Sequence, residues 1–524
     1  MNKIMKLYEY MKKNIFIISL ILISLIYMVL NLYDIIYKFE EHQLIGHNYL
    51  YMYLVCSILI TIVVFYIIFR LSKTKKINIP SLFVFLAILI GTPYIFLSPL
   101  FTGSDEHNHY YRIYEISNFE MITPTEEYVG SKLPNSLSKT FNVAGGSNVN
   151  INYKDIFTMS KVELDKEDVK QYGKEWSNSY NNTALYSPFT YIPHVLGFWV
   201  GKLFNLSPLI IGMIGRITNF ICFIILGYLS LKIVPKAKLF YLIVLLSPNM
   251  LQLATTLSAD AFTNGLVLLY TAIVFKHYYN KEILGKKDKW TISLLAILIS
   301  LCKIVYIPVV CLLYFIPNKC YKNMKEKHIY SGILIFICIV LGLLWTKQTE
   351  PVFAIEYTKN PKQMEFVLGN IFEYFIIFLR TFSNYFFEFV ECLFVGTRMY
   401  HSQLIMPSFI SIIYIVLVII SFLKHDNKRN RPIKCNIMIW IIALLTIGLI
   451  GSAIYVQATA QYIALENPVI EGIQGRYFLP IVILLPFLIE IKNIKLKIKE
   501  QTIISICLVI NLITYFYIMS QFMI

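Results

Sequence analysis

Residues 81–97, SLFVFLAILIGTPYIFL, decide the fold class of this chain, because they are apolar and long enough to cross a bilayer as one helix. The residues that follow at once, SPLFTGSDEHNHYYRIYEIS (98–117), are rich in ionisable groups. Carboxylates, histidines and an arginine therefore lie directly beside a predicted membrane surface. Ionisable groups next to hydrocarbon are costly, so their concentration here indicates a functional site.

The composition of the whole chain points to the same class. Of its 524 residues, 57% are hydrophobic and only 15% are charged, which is more apolar surface than a soluble domain can bury. Apolar runs of roughly 18 to 23 residues recur along the chain, and they are too long and continuous for the strands of a barrel. A helix satisfies its own backbone hydrogen bonds in lipid. The sequence therefore predicts an all-α polytopic membrane protein.

The formal net charge is +16, and the basic residues cluster in short loops such as KHDNKRNRPIK (424–434) and KNIKLKIK (492–499). This bias is typical of cytoplasmic loops, and no module of aromatic and basic residues accompanies it, so we expect no nucleic-acid partner. The nine cysteines show neither a disulfide framework nor zinc-ligand spacing. The basic N-terminus and the long apolar run after it predict a retained anchor with a cytoplasmic N-terminus.

Threading the chain by this charge bias predicts about thirteen crossings and places the C-terminus outside. Two apolar segments, 188–204 and 371–394, would reverse the bias if they crossed, so we interpret them as amphipathic helices on the outer surface. The run 290–317 is interpreted as two short crossings that meet near Lys303 and Pro308. The other predicted crossings lie near 14–36, 49–70, 80–98, 207–231, 238–256, 259–277, 329–346, 404–424, 434–456, 474–492 and 502–521.

On this threading, four polar clusters share the outer face, and we expect them to meet at one cavity. The clusters are Asp105–Arg112, the SAD tripeptide ending at Asp260, Glu466, and EGIQGRYFLP (471–480) with Glu471, Gln474, Arg476 and Tyr477. Arg216 and Lys303 lie near the outer ends of apolar helices. Residues 142–157, NVAGGSNVNINYKDIF, indicate a hairpin or loop over this cavity.

Asp105, His109 and Arg112 have the spacing that brings side chains to one face of a helix. A carboxylate there can accept a proton from an incoming hydroxyl, with Glu106 as the alternative base. A guanidinium can hold a phosphate through two parallel hydrogen bonds. A plainer interpretation is that Ser104 or Asp105 caps the helix, and the two roles are compatible.

The same stretch offers a metal site as an alternative, with Asp105, His107 and His109 as ligands. These residues do not share a helical face, so the alternative requires an extended or loop backbone. Lys303 lies inside LLAILISLCKIVYIPVV (294–310), where an ammonium is either functional or paired. Helix capping by Asp260 and interface anchoring by Arg476 and Arg216 are the structural alternatives to roles in substrate binding. The residue types alone do not decide between these structural roles and roles in substrate binding.

The motif DEHNHYYRIYEIS (105–117) resembles the D-E-x-x-H-x-x-R signature of a bacterial family of predicted membrane proteins, domain of unknown function 2142. Further matches keep the family order over roughly residues 80–490, namely YSPFTYIPHVLGFWVGKLF (186–204), LSADAFTNG (257–265) and QGRYFLP (474–480). The chain departs from the family at Gly103 and Ser104, where prolines are usual. It also departs at VGTRMYHSQLIMP (395–407), where a Gly-Trp-Leu-Asp-like run is usual.

That family is in turn similar to the GT-C glycosyltransferases, polytopic enzymes that take a sugar from a polyprenyl-phosphate or polyprenyl-pyrophosphate carrier. The resemblance implies an inverting transfer to a cell-envelope glycan or glycopolymer at the outer face of a bacterial plasma membrane. It implies that Asp105 or Glu106 is the base, that His109 orients it or binds substrate, and that Arg112 and Arg476 stabilise the departing phosphate. The implied substrate-binding set also contains Arg216, Asp260, Lys303, Gln474 and Tyr477. The resemblance leaves undecided whether the reaction uses a divalent metal ion as cofactor.

The resemblance also implies a division of the chain into four parts. Residues 1–78 add two N-terminal transmembrane helices to a GT-C-like catalytic module at 79–346, whose first outer loop is 99–206. A second outer loop with an amphipathic helix occupies 347–403, and C-terminal transmembrane helices occupy 404–524. The alternative functions are a transporter or flippase of lipid-linked sugars and a polymerase or ligase of lipid-linked oligosaccharide. Polar clusters on one side and the lack of a convincing internal repeat favour an enzyme over a transporter.

Overall fold

The computed structural model describes residues 2–42, 47–125, 129–143, 153–165, 168–170, 180–352, 360–395, 406–424, 433–459, 467–488 and 496–522. The chain is about 80% helical, which confirms the predicted all-α class. Within these residues, the β-structure is one short antiparallel pair, β1 (Lys132–Pro134) and β2 (Asp168–Lys170), with Leu133 opposite Val169. The middle of the predicted hairpin or loop at 142–157, namely 144–152, lies outside the described residues, as do Glu466 and most of 395–407. The two ends of that predicted hairpin or loop belong to helices, Asn142 and Val143 to the end of one and Tyr153–Phe157 to the start of the next.

The first half of the chain consists of helices of very different lengths, and the twelve-residue helix α4 begins its polar segment. They are α1 (Asn2–His42), α2 (His47–Lys73), α3 (Ile79–Leu97), α4 (Glu106–Ser117), α5 (Asn135–Val143), α6 (Tyr153–Met159), α7 (Asn181–Ala184), α8 (Ile192–Leu203), α9 (Pro208–Ile233), α10 (Lys238–Leu245) and α11 (Pro248–Ala254). A 3-10 turn, Pro188–Tyr191, leads into α8.

The second half consists of further helices interrupted by short turns. The helices are α12 (Asp260–Asn280), α13 (Lys286–Cys302), α14 (Ile307–Val310), α15 (Met324–Gln348), α16 (Asn360–Gly369), α17 (Ile371–Phe394), α18 (Ser408–Leu423), α19 (Ile433–Ile454), α20 (Leu479–Val482), α21 (Leu485–Leu488) and α22 (Glu500–Phe522). Turns of 3-10 helix occupy Ile304–Tyr306, Cys311–Phe315, Asn318–Cys320 and Gly475–Phe478, and a π-helical turn occupies Tyr455–Thr459.

Seven of the described helices are long and apolar enough to cross a membrane, so this is a membrane protein with several apolar helices. They are Ile15–Tyr37, Tyr51–Lys73, Ile79–Leu97, Pro208–Ile233, Met324–Val352, Asn436–Gln457 and Glu500–Phe522. The number rises to eight if Lys362–Gly369 and Ile371–Phe394, which meet at 101°, form one broken span. The thirteen predicted crossings are therefore not confirmed.

Proline residues explain why two of the predicted crossings do not form long apolar helices. The predicted crossing at 238–256 is divided into α10 and α11, and Pro248 begins the second piece. At 1.5 Å per residue each piece is about 12 Å long or shorter, well below the thickness of the hydrocarbon core. Pro480 and Pro486 divide the run that starts at 474 in the same way, because proline removes a backbone donor and clashes with the preceding turn.

Close packing of α8 on α9 holds the segment 188–204 against the helical body. A Cβ on Gly215 of α9 would lie 2.6 Å from the Phe198 ring, and one on Gly197 of α8 would lie 2.8 Å from the Ile214 carbonyl oxygen. Only glycine lets the two helices approach this closely. With twelve residues, α8 is too short to cross the hydrocarbon core, in keeping with our interpretation that it does not cross.

The last helix, α22, forms the centre of the helical body. It packs against α1, α2, α3 and α18, and 83% of its most apolar window is buried inside the protein. The other six candidate spans bury half of their windows or less, so their remaining apolar surface faces outward. This arrangement is expected when lipid is the solvent around the outer helices.

Candidate functional site

A cavity of about 390 Å³ lies where α4, α12, α13, α15 and α19 converge. Its polar side is built from residues that are far apart in the chain, namely Asp105, His109, Asp260, Lys303, Gln474, Arg476 and Tyr477. All seven were singled out from the sequence, and the fold brings them to one place. Glu106, Arg112 and Arg216, the other three predicted site residues, do not line it.

Asp105 occupies the position before the first residue of α4 in a left-handed conformation, with φ 54° and ψ 21°. Its side chain makes no capping hydrogen bond, so it does not have the capping role that was its plainest interpretation. A residue other than glycine in this conformation is strained, although Asp and Asn tolerate it better than most. The strain turns the carboxylate out of the helical register and onto the wall of the cavity, close enough to His109 and Arg476 to interact electrostatically.

His109 lies one turn into α4 and reaches the cavity with only 6% of its surface exposed. Its Nδ1 lies 2.7 Å from the hydroxyl of Tyr191, and its ring also packs near Tyr186. Burial lowers the pKa of His109 to about 4, and the opposing pull of Asp105 and Asp260 is too weak to restore it. The imidazole is therefore neutral near pH 7.

Asp260, Lys303 and Arg476 form the charged centre of the cavity. Lys303 Nζ donates to Oδ1 of Asp260, and Nε of Arg476 lies 3.5 Å from Oδ2 in an ion pair that lacks hydrogen-bond geometry. The three side chains are 10–12% exposed. The lysine that the sequence left as functional or paired is thus paired, and it still lines the cavity.

Aromatic rings enclose the Lys303 ammonium. It lies 5.2 Å from the ring centres of both Tyr186 and Tyr477, and the Tyr306 hydroxyl donates to the Tyr477 carbonyl at 3.0 Å. Burial raises the pKa of Tyr186 to about 12 although Lys303 acts to lower it, so this phenol is neutral. Ring faces attract cations, and together with Asp260 they hold the ammonium in place.

The loop that carries Arg476 is supported by α17. Thr381 of α17 accepts a hydrogen bond from the Ile470 amide at 2.8 Å, and Tyr385 donates to Oε1 of Glu471 at 3.2 Å. Gly475 packs so tightly on α17 that a Cβ there would lie 2.2 Å from the Phe389 carbonyl oxygen. The amphipathic helix predicted at 371–394 therefore positions one side of the cavity.

Glu106 and Arg216 form a separate ion pair in the core. Nη2 of Arg216 lies 2.6 Å from Oε2 of Glu106, and both side chains are at most 1% exposed. Glu106 also accepts hydrogen bonds from the amides of Gly103 and Leu257. Burial acts to raise the pKa of Glu106, but Arg216 and these amides outweigh it and hold the pKa below its usual value. A carboxylate engaged in this way supports the fold next to Asp105.

Arg112 does not reach the cavity, contrary to the predicted shared face with Asp105 and His109. Its Nη1 lies 2.5 Å from Oε2 of Glu115, one turn further along α4, and its Nη2 donates to the Met121 carbonyl at 2.8 Å. Both charged side chains are fully buried. Because Asp105 precedes the helix in a left-handed conformation, the regular helical spacing does not extend to it.

Apolar residues also line the cavity. They include Ile304, Val305, Gly342, Ile450, Ala453 and Ile454. Gly342 belongs to the candidate span Met324–Val352, and the last three belong to Asn436–Gln457. The cavity thus joins a charged centre to the surfaces of two helices able to cross a membrane.

Several lining residues were not singled out from the sequence. They are Tyr186, Trp345 and Gln457 in the cavity and Tyr191 behind His109. The tyrosines lie in YSPFTYIPH (186–194), where aromatic residues among prolines were a usable signal. Gln457 lies in a π-helical turn, a feature often found at functional sites, which no sequence pattern indicated.

The described residues do not form a metal centre. Among them, no group of three or more His, Cys, Asp or Glu side chains is placed to hold an ion. His107 stacks on Phe141 with ring centres 4.6 Å apart, whereas His109 contacts Tyr191. Asp260 already receives the Lys303 ammonium. A divalent cation therefore does not fit the residues proposed for it.

Comparison with known proteins gives one match. A family described as predicted membrane protein (DUF2142) matches residues 83–485, which is most of the chain. The chain belongs to this family. The family match covers Asp105, His109, Asp260, Lys303 and Arg476, so the whole charged side of the cavity lies in the family region. No curated protein matches the chain, and no solved structure does either.

Proposed function

We propose that this member of the family is a membrane glycosyltransferase that moves a sugar from a polyprenyl-phosphate carrier to a cell-envelope glycan or glycopolymer. The observation that carries the proposal is the cavity, which two carboxylates, an imidazole and two cations line together with apolar residues from two candidate spans. A lipid-linked sugar phosphate has the same division into a long apolar chain and a polar, anionic head. The sequence resemblance to GT-C glycosyltransferases supports the same reaction class.

Asp105 is the general base of the proposed reaction. The acceptor hydroxyl oxygen attacks the anomeric carbon, and the bond from that carbon to the phosphate oxygen breaks. The hydroxyl proton passes to Asp105, and the carrier phosphate leaves with the bonding electron pair. The anomeric configuration is inverted. Asp105 suits this role better than Glu106, because the Glu106 carboxylate is already engaged by Arg216 and two amides.

Arg476 and Lys303 stabilise the departing phosphate. Negative charge grows on the phosphate oxygens as the bond breaks, and fixed cations in a site shielded from water stabilise it. Asp260 keeps both cations in place before substrate binds. Gln474 and Tyr477 lie on the same side and are candidates for contacts to the sugar. Arg112 and Arg216 are paired elsewhere, so we assign them no role in substrate binding.

The distribution of charge supports a location at the outer face of a bacterial plasma membrane. The basic loops between apolar runs favour an N-terminus in the cytoplasm and an Asp105 segment outside. Polyprenyl carriers present their sugars to envelope acceptors on that side. In this arrangement the carrier chain lies in membrane lipid against α15 and α19, with its phosphate at Lys303 and Arg476.

Reconstitution into vesicles tests the proposal. Purified protein is inserted into vesicles with a radiolabelled polyprenyl-phosphate sugar and a crude envelope glycan acceptor, and transferred and translocated label are measured separately. Label joined covalently to the acceptor supports a transferase. Movement of the lipid-linked sugar across the bilayer without transfer would instead support a flippase, and extended carrier-linked oligosaccharide would support a polymerase or ligase. Comparing envelope glycans from cells with and without the gene identifies the sugar.

A further inference from the structure

The contact between His109 and Tyr191 determines which nitrogen of His109 carries its proton. The Tyr191 hydroxyl lies 2.7 Å from Nδ1 of His109, and the Tyr191 side chain is completely buried. Among the described residues, Nδ1 of His109 is the one hydrogen-bond partner of this hydroxyl. A buried phenol must donate its proton or pay the cost of an unmade hydrogen bond. Nδ1 of His109 is the acceptor within reach, so it carries no proton.

We propose that Tyr191 is a positioning residue that holds His109 as a neutral imidazole, with its Nε2–H directed into the cavity as a hydrogen-bond donor to a substrate oxygen. His109 lines the cavity, and its second nitrogen has no protein partner within the described residues. A neutral imidazole has one donor and one acceptor nitrogen, so fixing Nδ1 as the acceptor fixes Nε2 as the donor. The inference rests on the proposed function only for the identity of that oxygen.

The surroundings of His109 keep it neutral. Two carboxylates, Asp105 and Asp260, and two cations, Lys303 and Arg476, act on it from four different segments, so their effects largely cancel. Burial then decides, and the pKa of His109 falls to about 4. On the other side, His194 is fully buried beside Tyr191 and also has a lowered pKa, so it adds no charge near pH 7.

This tautomer gives Asp105 and His109 different roles in the proposed reaction. A His109 that does not accept a proton between pH 5 and 8 leaves Asp105 as the proton acceptor of the reaction. A fixed Nε2–H can hold the acceptor hydroxyl or a phosphate oxygen without competing for its proton. A donor of this kind stabilises charge as it develops and needs no rearrangement during the reaction.

Nitrogen NMR tests the tautomer without any enzymatic assay. The full-length protein is labelled with ¹⁵N-histidine, and the His109 signals are assigned by their loss in His109→Gln. The expected result is an unprotonated, hydrogen-bonded Nδ1 and a protonated Nε2 that do not change between about pH 5.5 and about pH 8. In Tyr191→Phe the Nδ1 signal shifts, because its donor is gone. A protonated Nδ1, a titration within this range, or an unchanged Nδ1 signal in Tyr191→Phe would overturn the proposal.

A pair of substitutions tests the donor in the transfer reaction. The glutamine amide nitrogen reaches the position of Nε2, whereas the asparagine amide nitrogen reaches that of Nδ1. We expect His109→Gln to keep activity within about tenfold of wild type and His109→Asn to lose on the order of 10²- to 10³-fold, the usual cost of one lost donor to developing charge. Equal losses in both variants would refute the donor role. If the wild type transfers no sugar, the proposed function fails, and the NMR result still decides the tautomer.

Discussion

Arg216 and Glu106 form a fully buried ion pair that joins α9 to the first turn of α4, with Nε of Arg216 2.7 Å from Oε1 and Nη2 2.6 Å from Oε2. The same guanidinium donates to the carbonyls of Ser98 and Pro99, at 2.7 Å and 2.9 Å. These bonds fix the turn after α3, and Asp105 directly precedes Glu106 in the chain. The geometry of the proposed base therefore depends on a pair that is not in the cavity.

Glu106→Gln should destabilise the protein strongly. Removing one partner leaves the Arg216 charge buried without compensation, at a cost of about 3–5 kcal/mol. We expect a clear fall in the melting temperature of the detergent-solubilised protein. As a control, Asp165→Asn breaks the exposed Lys139–Asp165 pair, whose side chains are 56% and 36% exposed, and should change stability by less than about 1 kcal/mol. A Glu106→Gln variant as stable as this control would contradict the structural role of the pair.

Asp105→Asn should abolish transfer and leave the fold intact. Asparagine has almost the same shape and tolerates the left-handed backbone at this position, but it cannot take the acceptor proton. The expected loss of transfer is on the order of 10²- to 10⁴-fold, with an unchanged melting temperature. Measuring both properties for Asp105→Asn and Glu106→Gln separates a base from a structural carboxylate. Full transfer by Asp105→Asn would remove Asp105 from the mechanism.

The composition of the cavity could be predicted because charged groups beside apolar sequence need partners. Lys303 inside an apolar run and Arg476 at a helix mouth had few possible partners other than Asp260 and the Asp105 segment, and the fold brings these groups together. A single observation thus carried most of the prediction of the site.

The division of roles on α4 could not be predicted from residue types. Asp105 and Glu106 are chemically alike, and only the left-handed backbone at Asp105 sends one carboxylate to the cavity and the other to Arg216. Arg112 did carry a missed signal, because Glu115 lies three residues later on the same helical face. The thirteen predicted crossings are not confirmed for another reason: hydropathy records apolar content but not the breaks at residues such as Pro248.

Substitutions at the charged centre should change anion binding in opposite directions. Lys303→Met removes a cation and should weaken binding of a short-chain polyprenyl phosphate about tenfold or more, the scale of one charge-assisted hydrogen bond. Asp260→Asn removes the anion that competes for Lys303 and Arg476, so binding should tighten or stay equal. Calorimetric titration in detergent measures both, with Asp165→Asn as a distant control. Weaker binding in Asp260→Asn would show that the carboxylate's positioning of the two cations outweighs its competition with the ligand.

Stability should fall as pH decreases below about 6.5, because His109 and His194 are buried in neutral form. Burial lowers their pKa values to about 4 and about 3, so the unfolded chain takes up protons in this window before the folded protein does. The stabilisation from each neutral histidine is fully present above the pKa of the unfolded chain, about 6.5. It is lost as the pH falls toward the folded pKa, at about 1.4 kcal/mol per pH unit for each histidine. Melting temperatures of wild type and His194→Gln between about pH 4.5 and about pH 7.5 measure it. The wild type should lose melting temperature more steeply than His194→Gln as pH falls. Equal slopes in the two proteins would refute the buried neutral state of His194.

Gly475→Ala should impair transfer by moving Arg476 away from the cavity. A Cβ at Gly475 would lie 2.2 Å from the Phe389 carbonyl oxygen and 2.8 Å from the Cys392 carbonyl carbon, so the loop must separate from α17. Backbone atoms of a helix cannot yield as a flexible side chain does, and Arg476 is the next residue in the chain. We expect at least a tenfold loss of short-chain polyprenyl phosphate binding, of the size seen when a charge-assisted contact is lost. Gly448→Ala is the matched control, because nothing lies within 4 Å of a Cβ there; equal binding by the two variants would mean that α17 does not position Arg476.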